Sequence, residues 1–171
     1  KAGNPTISAK KGVLGWPMDG VLTQGYGNTG FTSLGYNFHN GIDIAAPAGK
    51  PIYAAADGTV AHCNSSQSAY GNWCTIYHTV DTNSGSREIV TLYAHMRSAV
   101  VSPGAAVKLG DLVGYEGNTG NTTRLLYGPD RGYHIHFTVF DRKGYTVTKG
   151  SYGNYMVPSG VTYNPLSFLG K

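Results

Sequence analysis

The sequence is poor in charge, in cysteine and in long apolar segments. Only 13% of its 171 residues are charged, and two are cysteines. No run of Lys and Arg interleaves with aromatic residues, which argues against a nucleic-acid partner. No apolar run is long enough to span a membrane. The net charge of +4 is mild and suits anionic surroundings.

Strong helix formers are sparse, whereas Gly (25) and Tyr (13) are frequent. Short β-branched and aromatic runs are separated by Gly-containing turns about every 8–12 residues. This pattern predicts a mainly β fold, a single domain of antiparallel sheets with long loops and little helix. One helical turn is expected at residues 96–99. The Asp57-Gly58 pair predicts a tight hairpin between strands at 52–56 and 59–63.

The predicted organisation has three parts. Residues 1–15 form a lead-in or linker, residues 16–141 form a compact core, and residues 142–171 form an extension packed on the same domain. The chain starts at Lys1 rather than Met. We therefore expect a mature or excised fragment from which a targeting segment has been removed.

The two cysteines, Cys63 and Cys74, flank a polar, turn-like stretch. They could face each other across a hairpin as a disulfide, which would contribute roughly 2–3 kcal/mol in the chain-entropy model. Two reduced thiols are the alternative. An extracellular location, for which the motifs below argue, favours the disulfide.

Residues 132–140 alternate as a β-strand that carries two histidines. Successive strand side chains point to opposite faces, so His134, His136, Thr138 and Phe140 share one face. The other face is apolar and is expected in the core: Ile135, Phe137 and Val139. The two imidazoles are then about 6–7 Å apart, close enough to serve one metal site or one reacting centre.

A second polar pair lies at His39 and Asp43, which share a face if this stretch is a strand. Gly41 between them would leave room for a bound group. Two imidazoles and one carboxylate, with His136 as the third member, suit Zn²⁺ and leave a fourth tetrahedral position open, as in catalytic sites. Strand spacing alone does not decide whether His134 or His136 is the ligand.

No His-Glu-x-x-His motif is present, so the usual glutamate base is lacking. Proton transfer would then fall to His95 and His134, whose ordinary pKa values lie near neutral pH. The two other histidines, His62 and His78, are interpreted as structural.

Four motifs together resemble the lysostaphin-type zinc endopeptidases, extracellular enzymes that cut the peptide part of bacterial peptidoglycan. They are His-x-x-x-Asp at 39–43, Leu-Tyr-Ala-His at 92–95, Gly-Asn-Thr-Gly at 117–120 and His-Ile-His-Phe at 134–137. The similarity spans roughly residues 16–141. It implies a largely antiparallel β-sheet with the metal in a groove.

Carried over by position, the resemblance implies a ligand set for one Zn²⁺ ion and a catalytic pair. The ligands are His39, Asp43 and His136. His95 and His134 are the catalytic histidines, serving as base, acid or oxyanion stabiliser.

The chain also departs from the family pattern. The connection at residues 121–133 is longer than usual, and Thr138 stands where an acidic residue is common. Some members use an upstream tyrosine to stabilise the oxyanion, and Tyr26 and Tyr36 are the candidates. Lining the groove is the equally open alternative for both.

The resemblance implies a zinc-dependent endopeptidase that hydrolyses cross-bridge or stem-peptide bonds of peptidoglycan with a metal-activated water. A monomer is expected, secreted or associated with the cell wall, and encoded by a bacterium or a phage. The alternative is an inactive module of the same fold that binds peptidoglycan or activates another hydrolase. Degenerate relatives should lose ligands, and all five expected residues are present here.

Overall fold

The computed structural model describes residues 13–27, 38–64, 70–83, 85–119, 132–149 and 156–170. These residues form an almost entirely β structure with antiparallel strand pairing, as the composition predicted. The strands are β1 (Val21–Gln24), β2 (Ile42–Ala45), β3 (Pro51–Tyr53), β4 (Gly58–Asn64), β5 (Asn72–Thr82), β6 (Gly85–Ala99), β7 (Ala106–Val107), β8 (Leu112–Glu116), β9 (Ile135–Asp141), β10 (Thr146–Lys149), β11 (Met156–Ser159) and β12 (Thr162–Tyr163). A single 3₁₀ turn, Pro165–Ser167, is the helical element of this part of the chain.

The main sheet has the strand order β1-β2-β9-β6-β5-β4-β7, and β12 pairs with β9. β8 joins the sheet through β6 and carries β3 on its other side. A separate hairpin is formed by β10 and β11. Across the described ranges, none of the helical structure is long and apolar enough to cross a membrane.

The two faces of the sheet bury different clusters. One face, here called the core face, packs the main hydrophobic core, and the predicted inward set of β9 lies in it: Ile135, Phe137 and Val139. The opposite face carries His136 and is called the His136 face. Its own buried cluster contains Trp73, Val90, Leu92, Ala94, Phe140 and Tyr145, with Val147 and Met156 of the β10–β11 hairpin packed on it.

The first described residues of the chain pack against the last ones. Leu14 is buried, and its backbone forms a parallel bridge with Leu169. The indole of Trp16 donates to the carbonyl oxygen of Gly170. These contacts join the two ends of the described chain. The domain boundaries drawn from sequence stay predictions.

The hairpin predicted around Asp57-Gly58 is wrong. β3 pairs with β8, whereas β4 pairs with β5 and β7. A two-residue turn of type I′ needs positive φ at both central residues, and Gly58 is not among the positive-φ glycines. Asp57 is held elsewhere, because its carboxylate accepts from the N–H of Leu109 at 2.8 Å and its carbonyl lies 2.8 Å from Nδ1 of His78.

The helical turn predicted at residues 96–99 is also wrong. β6 continues as a strand to Ala99, because β8 provides the hydrogen-bonding partner of its last residues. The predicted disulfide is present in the structure. Cys63 and Cys74 are direct cross-strand partners of β4 and β5 and form one bond.

Candidate metal centre

Three polar side chains converge where β2 lies beside β9. Asp43 of β2 is the direct cross-strand partner of His136 in β9. His39 precedes β2 and is fixed by a backbone bridge to Gly27. Nε2 of His39 lies 3.1 Å from Oδ1 of Asp43 and 3.2 Å from Nδ1 of His136, and the last two atoms are 3.1 Å apart. All three residues are buried.

This triangle has the dimensions of a metal-ligand set. Zinc binds imidazole nitrogen and carboxylate oxygen at about 2.0–2.2 Å, so tetrahedral ligands stand about 3.3 Å from one another. The observed spacings of 3.1–3.2 Å match this separation. The N, N and O donors of His39, His136 and Asp43 could therefore hold a metal ion.

The remaining ring nitrogens orient the two imidazoles for this task. Nδ1 of His39 lies 2.8 Å from the carbonyl oxygen of Gly25, which can only accept. The proton is therefore assigned to Nδ1, and Nε2 keeps its lone pair. Nε2 of His136 lies 2.7 Å from Oδ1 of Asn40 and 2.8 Å from the hydroxyl of Thr138. These acceptors place the His136 proton on Nε2 and leave Nδ1 for the metal, as outer partners commonly do.

The electrostatics favour an ionised carboxylate at the centre. Burial alone would raise the pKa of Asp43, but hydrogen bonds from His136 and His39, which form when their facing nitrogens take up a proton in place of a metal, outweigh it and hold that pKa below its usual range. Burial lowers the pKa of His136, with Asp43 opposing. Burial is also the largest single influence on the pKa of His39 and lowers it. The hydrogen bond and the charge of Asp43 together outweigh burial, so the pKa of His39 is raised overall. One negative charge is thus buried among imidazoles, which suits a cation.

His95 and His134 lie together on the same side of the centre, with ring centroids 4.7 Å apart. Nδ1 of His95 lies 2.7 Å from the carbonyl oxygen of Thr119, and Nδ1 of His134 lies 2.7 Å from that of Gly132. Both Nδ1 atoms therefore donate to backbone, and both Nε2 atoms are left for proton transfer. Nε2 of His134 is 3.7 Å from Oδ2 of Asp43. Burial lowers the pKa of His95 well below its ordinary value.

The backbone at His95 is strained. Its φ of 61° is the one positive value at a non-glycine position in the described part of the chain, although the residue lies inside β6. An L-residue in this region costs about 1–2 kcal/mol. Register shifts between β6 and both β5 and β8 occur beside it, and the N–H of His95 donates to the carbonyl of Tyr70 at 2.8 Å. The irregular backbone turns this imidazole towards His134.

Gly41 has a different role from the one expected. It lies one residue before the Ile42–Phe137 pair, and a methyl group added to it would collide with the carbonyl oxygen of Phe137 and the hydroxyl of Thr138. The missing side chain therefore lets β2 approach β9, which places Asp43 beside His136. Space for a bound group is not what this glycine provides.

Of the two candidate tyrosines, Tyr26 is described, and its hydroxyl is held away from the centre. The hydroxyl of Tyr26 bonds to Thr162, at 3.0 Å from its carbonyl oxygen and 2.9 Å from its hydroxyl. Tyr36 lies outside the described residues, as does most of the 121–133 connection. Among the described residues, Tyr70 lies beside the centre, with its ring centroid 5.6 Å from that of His136.

Sequence reasoning missed three residues that surround His136. Asn40 accepts from its Nε2 and also donates from Nδ2 to the hydroxyl of Tyr70 at 2.8 Å. Thr138 is predicted on the same strand face as His136, but the sequence does not indicate its contact with Nε2 of that residue. Asn40 is adjacent to a predicted ligand, which is a usable signal, whereas Tyr70 could be found only from the packing of the segment between the two cysteines.

Curated proteins from several bacteria are similar to this chain in amino-acid sequence. The chain is 33% identical over 104 residues to the peptidoglycan DD-endopeptidase ShyA of Vibrio cholerae, covering 61% of this chain and 20% of that protein. It is 32% identical over 126 residues to the murein hydrolase activator NlpD of Salmonella typhimurium, covering 74% and 30%. The chain spans 17% to 36% of the length of the curated relatives that it matches most strongly.

Solved structures of peptidases are similar to this chain in fold. A zinc-containing peptidase from Vibrio cholerae matches with a TM-score of 0.60 and 28% identity, covering 79% of this chain and 38% of that one. The catalytic domain of lysostaphin from Staphylococcus simulans matches with a TM-score of 0.55 and 25% identity, covering 70% and 79%. The model of peptidase family M23 matches residues 37–154, which include every residue of the centre. The resemblance seen in the sequence is thereby confirmed, and the chain belongs to peptidase family M23.

Proposed function

We propose that this chain is a zinc-dependent endopeptidase that hydrolyses peptide bonds in bacterial peptidoglycan. The observation that carries the proposal is the triangle of His39, Asp43 and His136, whose donor atoms stand 3.1–3.2 Å apart beside two further oriented imidazoles. A structural zinc site has four protein ligands. Three ligands with proton-transfer groups alongside are the arrangement of a hydrolytic site.

The residues of the centre have two roles in the proposed reaction, metal binding and proton transfer. His39, Asp43 and His136 hold the zinc ion, which when bound supplies a Lewis acid able to polarise a carbonyl and to lower the pKa of water to about 7. His95 and His134 handle the protons through their Nε2 atoms. One imidazole accepts the proton of the attacking water, and the other donates to the amine that leaves. The hydrogen bonds from Nδ1 to Thr119 and Gly132 keep both rings in the required tautomer.

The setting of the reaction is proposed to be the bacterial cell wall, for a secreted or wall-associated protein of bacterial or phage origin. The Cys63–Cys74 disulfide supports an oxidising compartment. A relative named as a peptidoglycan endopeptidase supports the substrate class. The protein is proposed to act as a monomer.

The test is zinc content together with release of peptide fragments from purified peptidoglycan, with and without a chelator. We expect His136→Ala to lose both zinc and hydrolysis, and His95→Ala to keep zinc but to lose turnover. His78→Gln is the matched control, because His78 lies on the core face and its neighbours Asp57 and Thr91 can still be hydrogen-bonded by an amide. It should retain both properties.

One relative is named a murein hydrolase activator, so the test must separate hydrolysis from activation. Released peptides are therefore measured with this protein alone and with a second, purified hydrolase added. Stimulation of the second enzyme without any chelator-sensitive release by this chain would refute the endopeptidase assignment. Full hydrolysis by His136→Ala would refute the ligand set.

A further inference from the structure

A cavity with a volume of about 310 Å³ lies away from the metal centre, between the sheet and the β10–β11 hairpin. Its lining includes three aromatic rings, Trp73, Tyr77 and Tyr145, together with Asn64 of β4 and Val147 of β10. The volume is at the lower end of the range of small-molecule sites, about 300–1,000 Å³. No residue of the proposed mechanism belongs to it.

The cavity lies on the same face of the sheet as the metal centre. Ala94 of β6 is the cross-strand partner of His136, and it belongs to the buried cluster that also contains Trp73 and Tyr145. Cross-strand partners share a face. From β9 the sheet runs through β6 and β5 to β4, where Asn64 is the partner of Trp73. Three strand spacings correspond to about 14 Å.

Within the part of the chain that the structure describes, two buried polar atoms of cavity-lining residues have no hydrogen-bond partner. They are Nε1 of Trp73, a donor, and Oδ1 of Asn64, an acceptor. Each such buried group costs about 1–3 kcal/mol, and native structures contain few of them. Trp73 and Asn64 are cross-strand partners and both line the cavity, so a side-chain rotation towards a ligand there would offer it one donor and one acceptor from adjacent strands. An acetamido group, with one carbonyl oxygen and one N–H, is complementary to such a pair.

The described lining carries no formal charge, which points to a neutral ligand. Burial lowers the pKa of His62, with the charge of Arg142 adding to the effect, and burial raises the pKa of Tyr145 to about 12. Both side chains are therefore neutral near pH 7. The hydroxyl of Tyr145 is fixed by Thr75 at 2.7 Å and His62 at 3.0 Å, and Arg142 stacks 4.0 Å from the ring centre of Tyr77. Fixed aromatic faces beside polar groups suit a ring with both apolar and polar edges.

We infer that this cavity is a subsite for an N-acetylated sugar of the glycan strand that carries the peptide. This inference rests on the proposed function for the identity of the substrate. The separation of about 14 Å corresponds to about four extended residues at 3.3–3.6 Å each. A sugar in the cavity would thus be joined by a short peptide to a bond at the metal centre.

The test uses the one tryptophan that lies in the cavity. The chain has two tryptophans, and Trp16→Phe removes the other, which is 37% exposed and donates to the carbonyl oxygen of Gly170. In ¹⁵N-labelled Trp16→Phe protein, the remaining indole N–H signal belongs to Trp73. We expect the N-acetylglucosamine trimer to shift this signal saturably, with a dissociation constant of about 1 mM or tighter, and maltotriose to leave it in place.

Val147→Phe should fill the cavity and weaken binding of the trimer at least about tenfold, or 1.4 kcal/mol. Val21→Phe is the matched control, because Val21 is 68% exposed on β1 at the other edge of the sheet, and it should bind as before. No shift with the trimer, equal shifts with maltotriose, or equal binding by both variants would overturn the inference. The measurement needs neither metal nor turnover, so its failure is distinct from failure of the endopeptidase assignment.

Discussion

The carboxamide of Asn40 gives the sharpest test of how the metal centre is held. Its Oδ1 accepts from Nε2 of His136 at 2.7 Å, and this bond keeps the lone pair of Nδ1 directed at His39 and Asp43. Asn40→Leu removes the acceptor and keeps the number and branching of the side-chain heavy atoms. We expect the ring of His136 to lose its fixed tautomer and orientation, and the affinity for zinc to fall.

The magnitude follows from the number of acceptors at Nε2. Loss of the outer partner of a metal-binding histidine typically weakens the metal 10–100-fold. The hydroxyl of Thr138 lies 2.8 Å from the same nitrogen and remains in Asn40→Leu. The single change should therefore cost about tenfold, or 1.4 kcal/mol. Adding Thr138→Val removes the second acceptor, and the double variant should approach the upper end of the range, about 100-fold.

Zinc affinity is measured by competition with a chromophoric chelator at constant pH. Two conservative variants separate the contacts of Asn40. Asn40→Asp keeps an acceptor for His136 but loses the donor to Tyr70, and it should bind zinc at least as tightly as the parent. Tyr70→Phe removes only the hydroxyl that receives this donor and should change the affinity less than about twofold. Unchanged affinity in the double variant would refute the reasoning.

Three further changes probe strain, covalent linkage and a buried acid. His95→Gly should be more stable than His95→Ala by about 0.5–1 kcal/mol in urea unfolding, because glycine adopts the φ of 61° without strain; equal stabilities would contradict the strain. Replacing Cys63 and Cys74 by serine removes the disulfide that links two residues 11 positions apart. The free energy of unfolding should fall by about 2–3 kcal/mol, which would be measured as a fall of roughly 5–10 °C in Tm. Glu116 is fully buried, and burial raises its pKa from 4.5 to about 7. Between these values the folded state binds more protons than the unfolded state, so stability falls as pH rises. Glu116→Gln should therefore stabilise the protein at pH 8 by up to about 3 kcal/mol and have little effect near pH 4; a pH-independent difference would exclude this origin.

The strand that carries His136 was more predictable from sequence than its pairing with other strands. Alternation along β9 correctly placed Phe137 in the core and His136 on the opposite face, because side-chain direction in a strand is a local property. The convergence of His39 and Asp43 with His136 depends on how β2 pairs with β9. That register is not encoded locally, and the family resemblance supplied it.

The errors arose where a local signal competed with long-range pairing. Asp57-Gly58 is a strong hairpin dipeptide, yet Asp57 is held by Leu109 and β3 finds its partner in β8. Residues 96–99 had no clear strand pattern, and only pairing with β8 keeps them extended. The contacts of Asn40 and Tyr70 could not be predicted for the same reason, since each joins segments that are brought together by tertiary structure.

The pairing of β2 with β9 has a consequence for the order of events during folding. His39 and Asp43 are four residues apart, whereas His136 is 93 residues beyond Asp43. The first two can meet early, but the third arrives only after a long loop has closed at an entropic cost that local hairpins such as β5–β6 avoid. Tight metal capture is therefore a late step that marks completion of the sheet. In a refolding experiment, the uptake of metal should follow the formation of β5–β6 rather than precede it.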